Sequence, residues 1–412
     1  MLNQSKICSI IDLGGIMERV IFHIDVNNAF LSWTAVKLLK NGYKIDIRTI
    51  PSVIGGDEQK RHGIVLAKSP IAKKFGIVTA ETLYQARKKC PSLKVYPPDY
   101  HYYKEMSDKM FEYISTYSPD VEKFSIDECF VDMSGTHYLY DNLIDLAYKI
   151  KDEIYSKFGF TVNIGIANNK LCAKMASDFE KPNKVHTLFN DEIPNKMWPL
   201  PIGDLLFVGK KTSEKLKKMG FNTIGDVANA NPEIFVKEFK SMGIEIWNRA
   251  NGIDDSIVDS SFHKSKSISV SWTLEKDSDD IDYIKHILLK QVDEVGRSLR
   301  RLNMYARVVA VTIKTSDFVS FSKQSSLSYP INSNDDIYDA VIDNLNKAWN
   351  FEKIRNIGVR LSNLEETRVV QNDIFDKGTN SENKEKVQKA IDKIKDKYGS
   401  DIINPASLLD KK

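Results

Sequence analysis

The stretch FSIDECFVDMSG, residues 124–135, places two carboxylates side by side in an apolar run that has the pattern of a buried strand. Burying one unpaired carboxylate is costly, and two neighbouring carboxylates also repel each other. Asp127 and Glu128 therefore constrain the fold strongly, because positive charge has to lie close to them.

The composition is that of a globular protein. The chain has 412 residues, of which 42% are hydrophobic, and this is enough for roughly two to four domains with their own cores. No apolar run approaches the ~20 residues needed to cross a bilayer, so no membrane partner is expected. The 59 basic and 56 acidic residues give a net charge of +3, which neither requires nor excludes a nucleic-acid partner.

The cysteines predict neither disulfides nor zinc. Cys8, Cys90, Cys129 and Cys172 form no CxxC pair, and none has a histidine at the spacing of a zinc ligand. We therefore expect a reducing, cytoplasmic location and no structural zinc.

Residues 1–17 form an extension before the first predicted strand. They lack the basic start and the long apolar core of a secretion signal, and their apolar residues show no clear periodicity. Two explanations stay open, namely a genuine extension or a true translation start at Met17.

The stretch RVIFHIDVNNAF, residues 19–30, predicts a buried strand that ends at Asp25 and runs into a helix. A carboxylate at the end of a core strand is a common place for a site. Asp25 could also simply cap the following helix, and the residues alone leave both interpretations open.

A further strand and helix follow in TVNIGIANNKLCAKMASDFEKPNKV, residues 161–185. Val162, Ile164 and Ile166 alternate as in a strand, and the helix after them stops at the KPN sequence. Lys181 is thereby placed on a loop, where it can reach a phosphate or serve as an ordinary surface lysine.

The stretch LPIGDLLFVGKKTSEKLKKMG, residues 200–220, resembles a helix-hairpin-helix. Such a motif grips a phosphate backbone with main-chain amides and lysines and does not read sequence. Gly209 lies in the predicted turn, followed by Lys210 and Lys211. The alternative is a charged helix face exposed to solvent, which the glycine turn disfavours.

Residues 265–366 have the order strand, helix, strand, strand, helix, strand. In the last strand, Ile357, Val359 and Leu361 face one way and Arg360 the other. The pattern predicts a small α+β domain with one open sheet face, preceded by a polar linker.

Together these segments resemble the Y-family of translesion DNA polymerases, of the bacterial DNA polymerase IV type, from Arg19 to Glu366. The resemblance is carried by FHIDVNNAF, GGDEQKRHGIVLA, YSPDVEKFSIDECFVDMSG, GIANNKLCAKMASDFEKPNKV and the helix-hairpin-helix. It implies a multidomain α+β fold of right-hand architecture. The implied parts are an extension (1–17), palm (18–28 and 98–188), small fingers (29–97), thumb with the helix-hairpin-helix (189–256), linker (257–264), β-α-β-β-α-β little finger (265–366) and tail (367–412).

The same resemblance supplies the positive charge. It implies that Asp25, Asp127 and Glu128, with the main-chain carbonyl of Val26, bind two Mg²⁺ ions. Carboxylate oxygens are the ligands that such hard cations prefer. The resemblance also implies that Phe30 is a steric gate against the 2′-hydroxyl of ribonucleotides, with an ordinary core position as the alternative.

The triphosphate site departs from the family pattern. The family has an aromatic residue and an arginine after the VLA strand, where this chain has Pro70 and Lys73. Lysine supplies charge but not the bidentate fork of arginine. We expect Lys73 and Lys181 to bind the triphosphate, with Lys74 as a substitute for Lys73.

The sequence VVQNDIF, residues 369–375, resembles the peptide by which bacterial polymerases bind the sliding clamp. Asn372 replaces the usual apolar residue, and a chance match is the alternative; the matching residues are Gln371, Ile374 and Phe375. Clamp binding would make rebinding to DNA intramolecular. The tail beyond has apolar residues at the spacing of a short amphipathic helix, namely Val387, Ile391 and Ile394.

We therefore predict a low-fidelity, template-directed DNA polymerase for translesion synthesis, with Mg²⁺ as its cofactor. The expected partners are primer-template DNA, deoxynucleoside triphosphates and the sliding clamp, and the chain is expected to be a monomer. A catalytically weak DNA-binding or clamp-binding scaffold stays open because of Pro70. A two-metal nuclease is a second rival, which the thumb and little-finger pattern fits less well.

Overall fold

The computed structural model describes residues 19–57, 61, 63–261, 265–367, 379–399 and 402–403. Residues 1–17 and the predicted clamp motif at 371–375 lie outside the described residues. The chain divides into two compact units, of which the first is Met1–Gly56 with Ile64–Phe262 and the second is Asp57–Gly63 with His263–Lys412.

The first unit contains two sheets and most of the helices. Its strands are β1 (Ile21–Val26), β2 (Ser52–Gly55), β3 (Val65–Lys68), β4 (Lys94–Tyr96), β5 (Val121–Lys123), β6 (Glu128–Asp132), β7 (Val162–Ala167) and β8 (Val185–Leu188). Its helices are α1 (Ala29–Lys40), α2 (Pro70–Lys74), α3 (Leu83–Lys89), α4 (Tyr100–Ile114), α5 (Leu143–Phe158), α6 (Lys170–Asp178), α7 (Ile193–Lys196), α8 (Lys210–Lys218), α9 (Ile224–Ala228), α10 (Pro232–Phe239) and α11 (Ser241–Ala250).

β1 is the middle strand of a five-stranded sheet with the order β5-β6-β1-β7-β8, and it is antiparallel to both neighbours. Phe22 and Ile24 pack in one core with residues of α4 and α5, whereas Ile21 packs in a second core with residues of α6. Because helices cover both faces, the strand is almost wholly apolar, as predicted. His23 and Asp25 are its polar residues.

The helix α6 approaches the sheet very closely. Gly165 of β7 faces this helix, and a Cβ atom at that position would meet backbone atoms of α6. Only glycine therefore allows the two elements to pack at this distance.

The second sheet of this unit has the order β3-β2-β4, and α1 packs on it through Leu31 and Ala35. The helices α7–α11 pack on the α6 side of the central sheet, since Ile202, Leu216 and Phe235 belong to the same buried core as Ile21 and the residues of α6. The predicted helix-hairpin-helix consists of a short 3-10 turn, Ile202–Asp204, followed by α8.

The chain that leaves α11 is tied back onto the central sheet and α6. The carboxylate of Asp254 accepts a hydrogen bond from the amide of Leu171 (3.0 Å), and Glu122 accepts one from the amide of Asp259 (2.9 Å). Lys170 also donates a hydrogen bond to the carbonyl of Ile257 (3.2 Å). The first residues of the expected linker are therefore fixed by hydrogen bonds.

The second unit has the predicted order of strands and helices. Its elements are β9 (Ser267–Ser278), α12 (Ile281–Arg301), β10 (Tyr305–Thr315), β11 (Ser320–Ile331), α13 (Asn334–Ala348), β12 (Ile354–Glu365) and α14 (Thr379–Tyr398). The sheet has the order β11-β10-β12-β9, and α12 and α13 pack on one of its faces. Ile357, Val359 and Leu361 are buried and Arg360 is exposed, as the alternation predicted.

α14 packs on α12 through charged side chains. Arg300 of α12 forms a bidentate ion pair with Asp392 (2.6 and 3.0 Å), and Lys395 forms an ion pair with Asp293 (2.6 Å). Asp392 and Lys395 are buried, whereas Val387 and Ile394 are 57% and 39% exposed. The helix was predicted, and its charged residues make the contacts with α12, whereas Val387 and Ile394 lie outward.

None of the helices in the described part of the chain is long and apolar enough to span a bilayer.

Candidate active site

Three acidic residues lie at one end of the central sheet. Asp25 and Glu128 are directly opposite each other in the antiparallel pair of β1 and β6, so their side chains lie on the same face. Asp127 comes just before β6, and its carbonyl oxygen accepts a hydrogen bond from the amide of Val26 (3.0 Å). The structure thus brings together the four residues predicted to bind metal.

Lysines supply positive charge to two of these carboxylates. Lys181 pairs with Asp25, and Lys174 pairs with Glu128. The two acidic side chains are only 13% and 16% exposed. Asp127 has no such lysine among the described residues, and its Oδ1 accepts a hydrogen bond from the hydroxyl of Ser125 (2.5 Å).

The local electrostatics differ between the two paired carboxylates. Burial raises the pKa of Asp25, and the nearby Lys181 reduces this shift without reversing it. Burial would also raise the pKa of Glu128, but His23 and Lys174 outweigh it and hold that pKa at about 2. Burial disfavours the ammonium of Lys181, yet Asp25 and Asp178 raise its pKa. One lysine therefore does not offset the burial of Asp25.

No three His, Cys, Asp or Glu side chains in the described ranges are gathered closely enough to form a complete metal site. The oxygen donors nevertheless fit a hard divalent cation such as Mg²⁺. Asp25 and Glu128 each use a single oxygen for their lysine, and the other oxygen has no hydrogen bond within the described residues. Lys181 offsets only part of the effect of burial on the pKa of Asp25, so further positive charge nearby would stabilise the ionised carboxylate.

His23 lies directly behind Glu128. Its Nε2 is 3.2 Å from Oε2 of Glu128, close enough for electrostatic contact but not aligned as a hydrogen bond. Its Nδ1 is 2.8 Å from the hydroxyl of Ser177 in α6. Burial lowers the pKa of His23, so the imidazole is neutral near pH 7. This histidine connects α6 to the acidic pair.

Phe30 lies in the first turn of α1, five residues after Asp25. Its ring stacks on that of Tyr103 (centroids 4.7 Å apart, 8° between planes) and meets the edge of Tyr100 (6.0 Å).

The N-terminal cap position of α1 is Asn28, not Asp25. The alternative that Asp25 caps this helix is therefore wrong.

The sequence matches the impB/mucB/samB family over residues 24–178, its C-terminal domain over 265–374 and its helix-hairpin-helix motif over 190–221. DNA polymerase IV of Clostridium acetobutylicum is 46% identical over 96% of this chain and 99% of the relative. DNA polymerase IV of Alkaliphilus oremlandii is 38% identical over 95% and 100%, and DNA polymerase IV 2 of Bacillus subtilis is 34% identical over 95% of each. The chain belongs to the DNA polymerase IV family.

A solved structure confirms the fold of this DNA polymerase IV family member. A Y-family DNA polymerase chimera superposes with a TM-score of 0.73 over 84% of this chain and 100% of the chimera, at 22% identity. The right-hand architecture, with its helix-hairpin-helix and little finger, is thereby confirmed.

Pro70 and Lys73, the two residues that depart from the family pattern, lie on the short helix α2. Pro70 is the first residue of α2, where proline fits because its missing N–H would have no partner in the helix. Ser69 caps the same helix by accepting a hydrogen bond from the amide of Ala72 (3.0 Å). Lys73 is exposed on this short helix. Its charge lies close enough to Lys68 to contribute, after burial, to a lowered pKa of that lysine.

The structure places Gly209 at the N-terminal cap of α8, with no side-chain cap. Lys210, 89% exposed, and the exposed Lys211 form the first turn of this helix. The amides of this turn and the two lysines are thus on the surface, as the predicted backbone contact requires.

Sequence reasoning missed Lys174, His23 and Ser177, and only His23 has a signal in the sequence. His23 is two residues before Asp25 on the same strand, and period-two alternation puts both on one face. Lys174 and Ser177 lie in α6, which ends at Asp178, and which of its residues face the acids depends on how the helix packs on the sheet.

Proposed function

We propose that this chain is a DNA-directed DNA polymerase that extends a primer 3′ end with deoxynucleotides and copies damaged templates with low fidelity. The observation that carries the proposal is the pairing of Asp25 with Glu128 next to Asp127, in a chain of the DNA polymerase IV family. Phosphoryl transfer with two divalent cations needs carboxylate oxygens as ligands, and these three residues supply them at one end of the sheet.

The proposed ligands of two Mg²⁺ ions are Asp25, Asp127, Glu128 and the carbonyl of Val26. Held there, the ions would supply the positive charge that activates a primer 3′-hydroxyl and neutralises a triphosphate. Lys174 orients Glu128 by pairing with its Oε2, which leaves Oε1 for a cation. Ser125 orients Asp127 in the same way through Oδ1.

Lys181 and Lys73 are the proposed triphosphate ligands. Lys181 is held by Asp25 and by Asp178, the latter at 2.7 Å. When a nucleotide binds, a phosphate oxygen would replace Asp25 as the partner of the Lys181 ammonium. Lys73 is exposed on α2 and adds charge without the fork of an arginine.

Phe30 is the proposed steric gate. Its ring is backed by the parallel ring of Tyr103, which is itself buried. A 2′-hydroxyl on the sugar of the incoming nucleotide would therefore meet a ring that cannot easily move away.

Contact with the DNA backbone is proposed for Gly209, Lys210 and Lys211. The exposed amides at the start of α8 and the two lysines suit phosphate oxygens and carry no sequence information. Binding should accordingly be sensitive to salt and indifferent to sequence. A sliding clamp is the proposed partner of Gln371, Ile374 and Phe375, and the chain is proposed to act as a monomer.

The test is extension of a labelled primer on a DNA template with Mg²⁺ and deoxynucleotides. We expect the native chain to lengthen the primer and chelation of Mg²⁺ to stop it. Asp127→Asn and Glu128→Gln should reduce the rate at least about 100-fold, whereas Asp141→Asn, which changes an exposed carboxylate elsewhere, should not. Circular dichroism and DNA binding would show that each variant is folded.

Two outcomes would contradict the proposal. Products shorter than the primer would indicate a nuclease. No extension by a folded chain that binds DNA, with the clamp present as well as absent, would indicate a scaffold.

A further inference from the structure

Two buried asparagines lie beside the loop that carries Lys181. Asn163 in β7 is 0% exposed, and Asn27, just after β1, is 6% exposed. A buried amide is costly unless hydrogen bonds satisfy it. The hydrogen-bond partners of these two amides therefore indicate which part of the backbone they fix in place.

Asn163 uses its complete hydrogen-bonding capacity. Its Nδ2 donates to the carbonyls of Ser177 (2.9 Å) and Glu180 (2.7 Å). Its Oδ1 accepts from the amide of Lys184 (3.2 Å) and from Nδ2 of Asn27 (3.1 Å). With both N–H donors of Nδ2 and both lone pairs of Oδ1 engaged, the orientation of the amide is fixed.

Asn27 extends the same network. Its Oδ1 accepts from the amide of Asn183 (2.8 Å) and from the hydroxyl of Thr161 (3.0 Å). The two asparagines thus bind the backbone on both sides of Lys181, at Glu180 before it and at Asn183 and Lys184 after it.

We propose that Asn163 and Asn27 are positioning residues that fix the Lys181 loop for capture of the nucleotide triphosphate. This inference rests on the proposed polymerase function. The exposed Lys73 stands where the family has an arginine, and it has no fork to orient a phosphate. The grip on the triphosphate therefore depends more on Lys181, and a side chain on a loop is only as well placed as the backbone that carries it.

A purely structural role for Asn163 makes a different prediction. Loss of its amide would then lower the melting temperature without a specific effect on nucleotide binding. Asn344 provides the matched control, because it is also 0% exposed and its Nδ2 also donates two hydrogen bonds, to the carbonyl of Val309 and the hydroxyl of Ser325 (3.0 Å each), in the second unit.

The experiment compares Asn163→Ala, Asn344→Ala, Lys181→Ala and the double variant Asn163→Ala/Lys181→Ala. KM and kcat for a single deoxynucleotide are measured by primer extension. The affinity for dTTP is measured separately on a protein–DNA complex whose primer ends in a dideoxynucleotide, so that no chemistry occurs. Asn27→Ala, which removes the acceptor of the Asn183 amide, replaces Asn163→Ala if the latter does not fold.

We expect Asn163→Ala to raise KM and the dissociation constant for dTTP about tenfold, with kcat changed less than about threefold. Asn344→Ala should leave KM unchanged even where it lowers the melting temperature. On the Lys181→Ala background, Asn163→Ala should raise KM less than about twofold, because both act through the same ammonium. An unchanged KM, or a full tenfold effect in the double variant, would overturn the inference.

Hydrogen exchange of the protein without nucleotide supplies a readout that does not depend on activity. Peptides covering residues 180–184 should exchange about tenfold faster in Asn163→Ala than in the native chain and in Asn344→Ala. Unchanged exchange would overturn the inference whatever the kinetics. A native chain that extends no primer would overturn the proposed function and the nucleotide role together, while the exchange would still decide whether the amides hold the loop.

Discussion

Replacing Gly165 with alanine tests how tightly α6 packs on the central sheet. A Cβ atom there would lie 2.0 Å from the carbonyl oxygen of Ala173 and 2.5 Å from the amide nitrogen of Ser177. Both are backbone atoms of α6, so rotation of a side chain cannot relieve the contact. The helix itself has to move.

The distances give the size of the effect. Ordinary contacts of this kind begin at 3.4 Å, so α6 has to shift by more than about 1 Å. Overpacking of a core costs about 1–3 kcal/mol, and we expect about 3 kcal/mol because two backbone atoms clash at once. For a unit of this size, the melting temperature should fall by roughly 6–12 °C.

Differential scanning calorimetry would measure this shift, with Gly135→Ala as the control. A Cβ at Gly135 meets nothing within 4 Å, so its melting temperature should stay within about 2 °C of the native value. Primer extension below the transition should also fall for Gly165→Ala, because a displaced α6 carries Lys174 away from Glu128. A Gly165→Ala protein that melts together with the native chain would refute the close packing of α6.

Three further predictions concern other parts of the chain. Phe30→Ala should raise ribonucleotide incorporation in primer extension, because the ring stacked on Tyr103 is gone; an unchanged ratio of ribonucleotide to deoxynucleotide would contradict the gate. Gly209→Ala should keep the native melting temperature, since a Cβ meets nothing within 4 Å and φ is −73°, but the methyl group should weaken DNA binding measured by fluorescence anisotropy. Asp392→Asn leaves the buried Arg300 without its counter-charge, at a cost of about 3 kcal/mol, and should speed proteolysis within α14. Equal protease resistance would show that this ion pair is not needed.

Much of the fold was predictable because its periodicities are clean. β1 is buried on both faces and is therefore almost wholly apolar in sequence, and β7 and β12 show the alternation of a strand. The residue at which β6 begins was harder to predict from the sequence. Ile126 and Asp127 lie before the strand, since their backbone turns where Ser125 contacts the Asp127 carboxylate.

The site could be predicted only in part. The acidic residues stand out in the sequence because charge is rare in buried strands. The lysines that pair with them do not stand out in the sequence, since Lys174 and Lys181 belong to a helix and a loop that contain other charged residues. Which lysine faces an acid depends on strand register and helix orientation, and these follow from tertiary packing.

α14 shows which part of a helix prediction the sequence can supply. Val387, Ile391 and Ile394 have helical spacing and predicted the helix, but this spacing does not say which face contacts a neighbour. The partner surface on α12 instead carries Asp293, Arg297, Arg300 and Arg301, and opposite charges select the polar face of α14. A helix packs by the face that its neighbour matches, and the sequence of one helix alone does not contain that neighbour.

The ion pairs between α14 and α12 differ in exposure. The side chains of Arg300 and Lys395, which pair with Asp392 and Asp293, are each only 2% exposed, whereas Arg301 and Asp396 are 58% and 44% exposed. Salt screens exposed charges far more than buried ones. Rising salt should therefore weaken the contacts of Asp396 and leave those of Asp392 and Lys395 in place, so that α14 stays attached to α12.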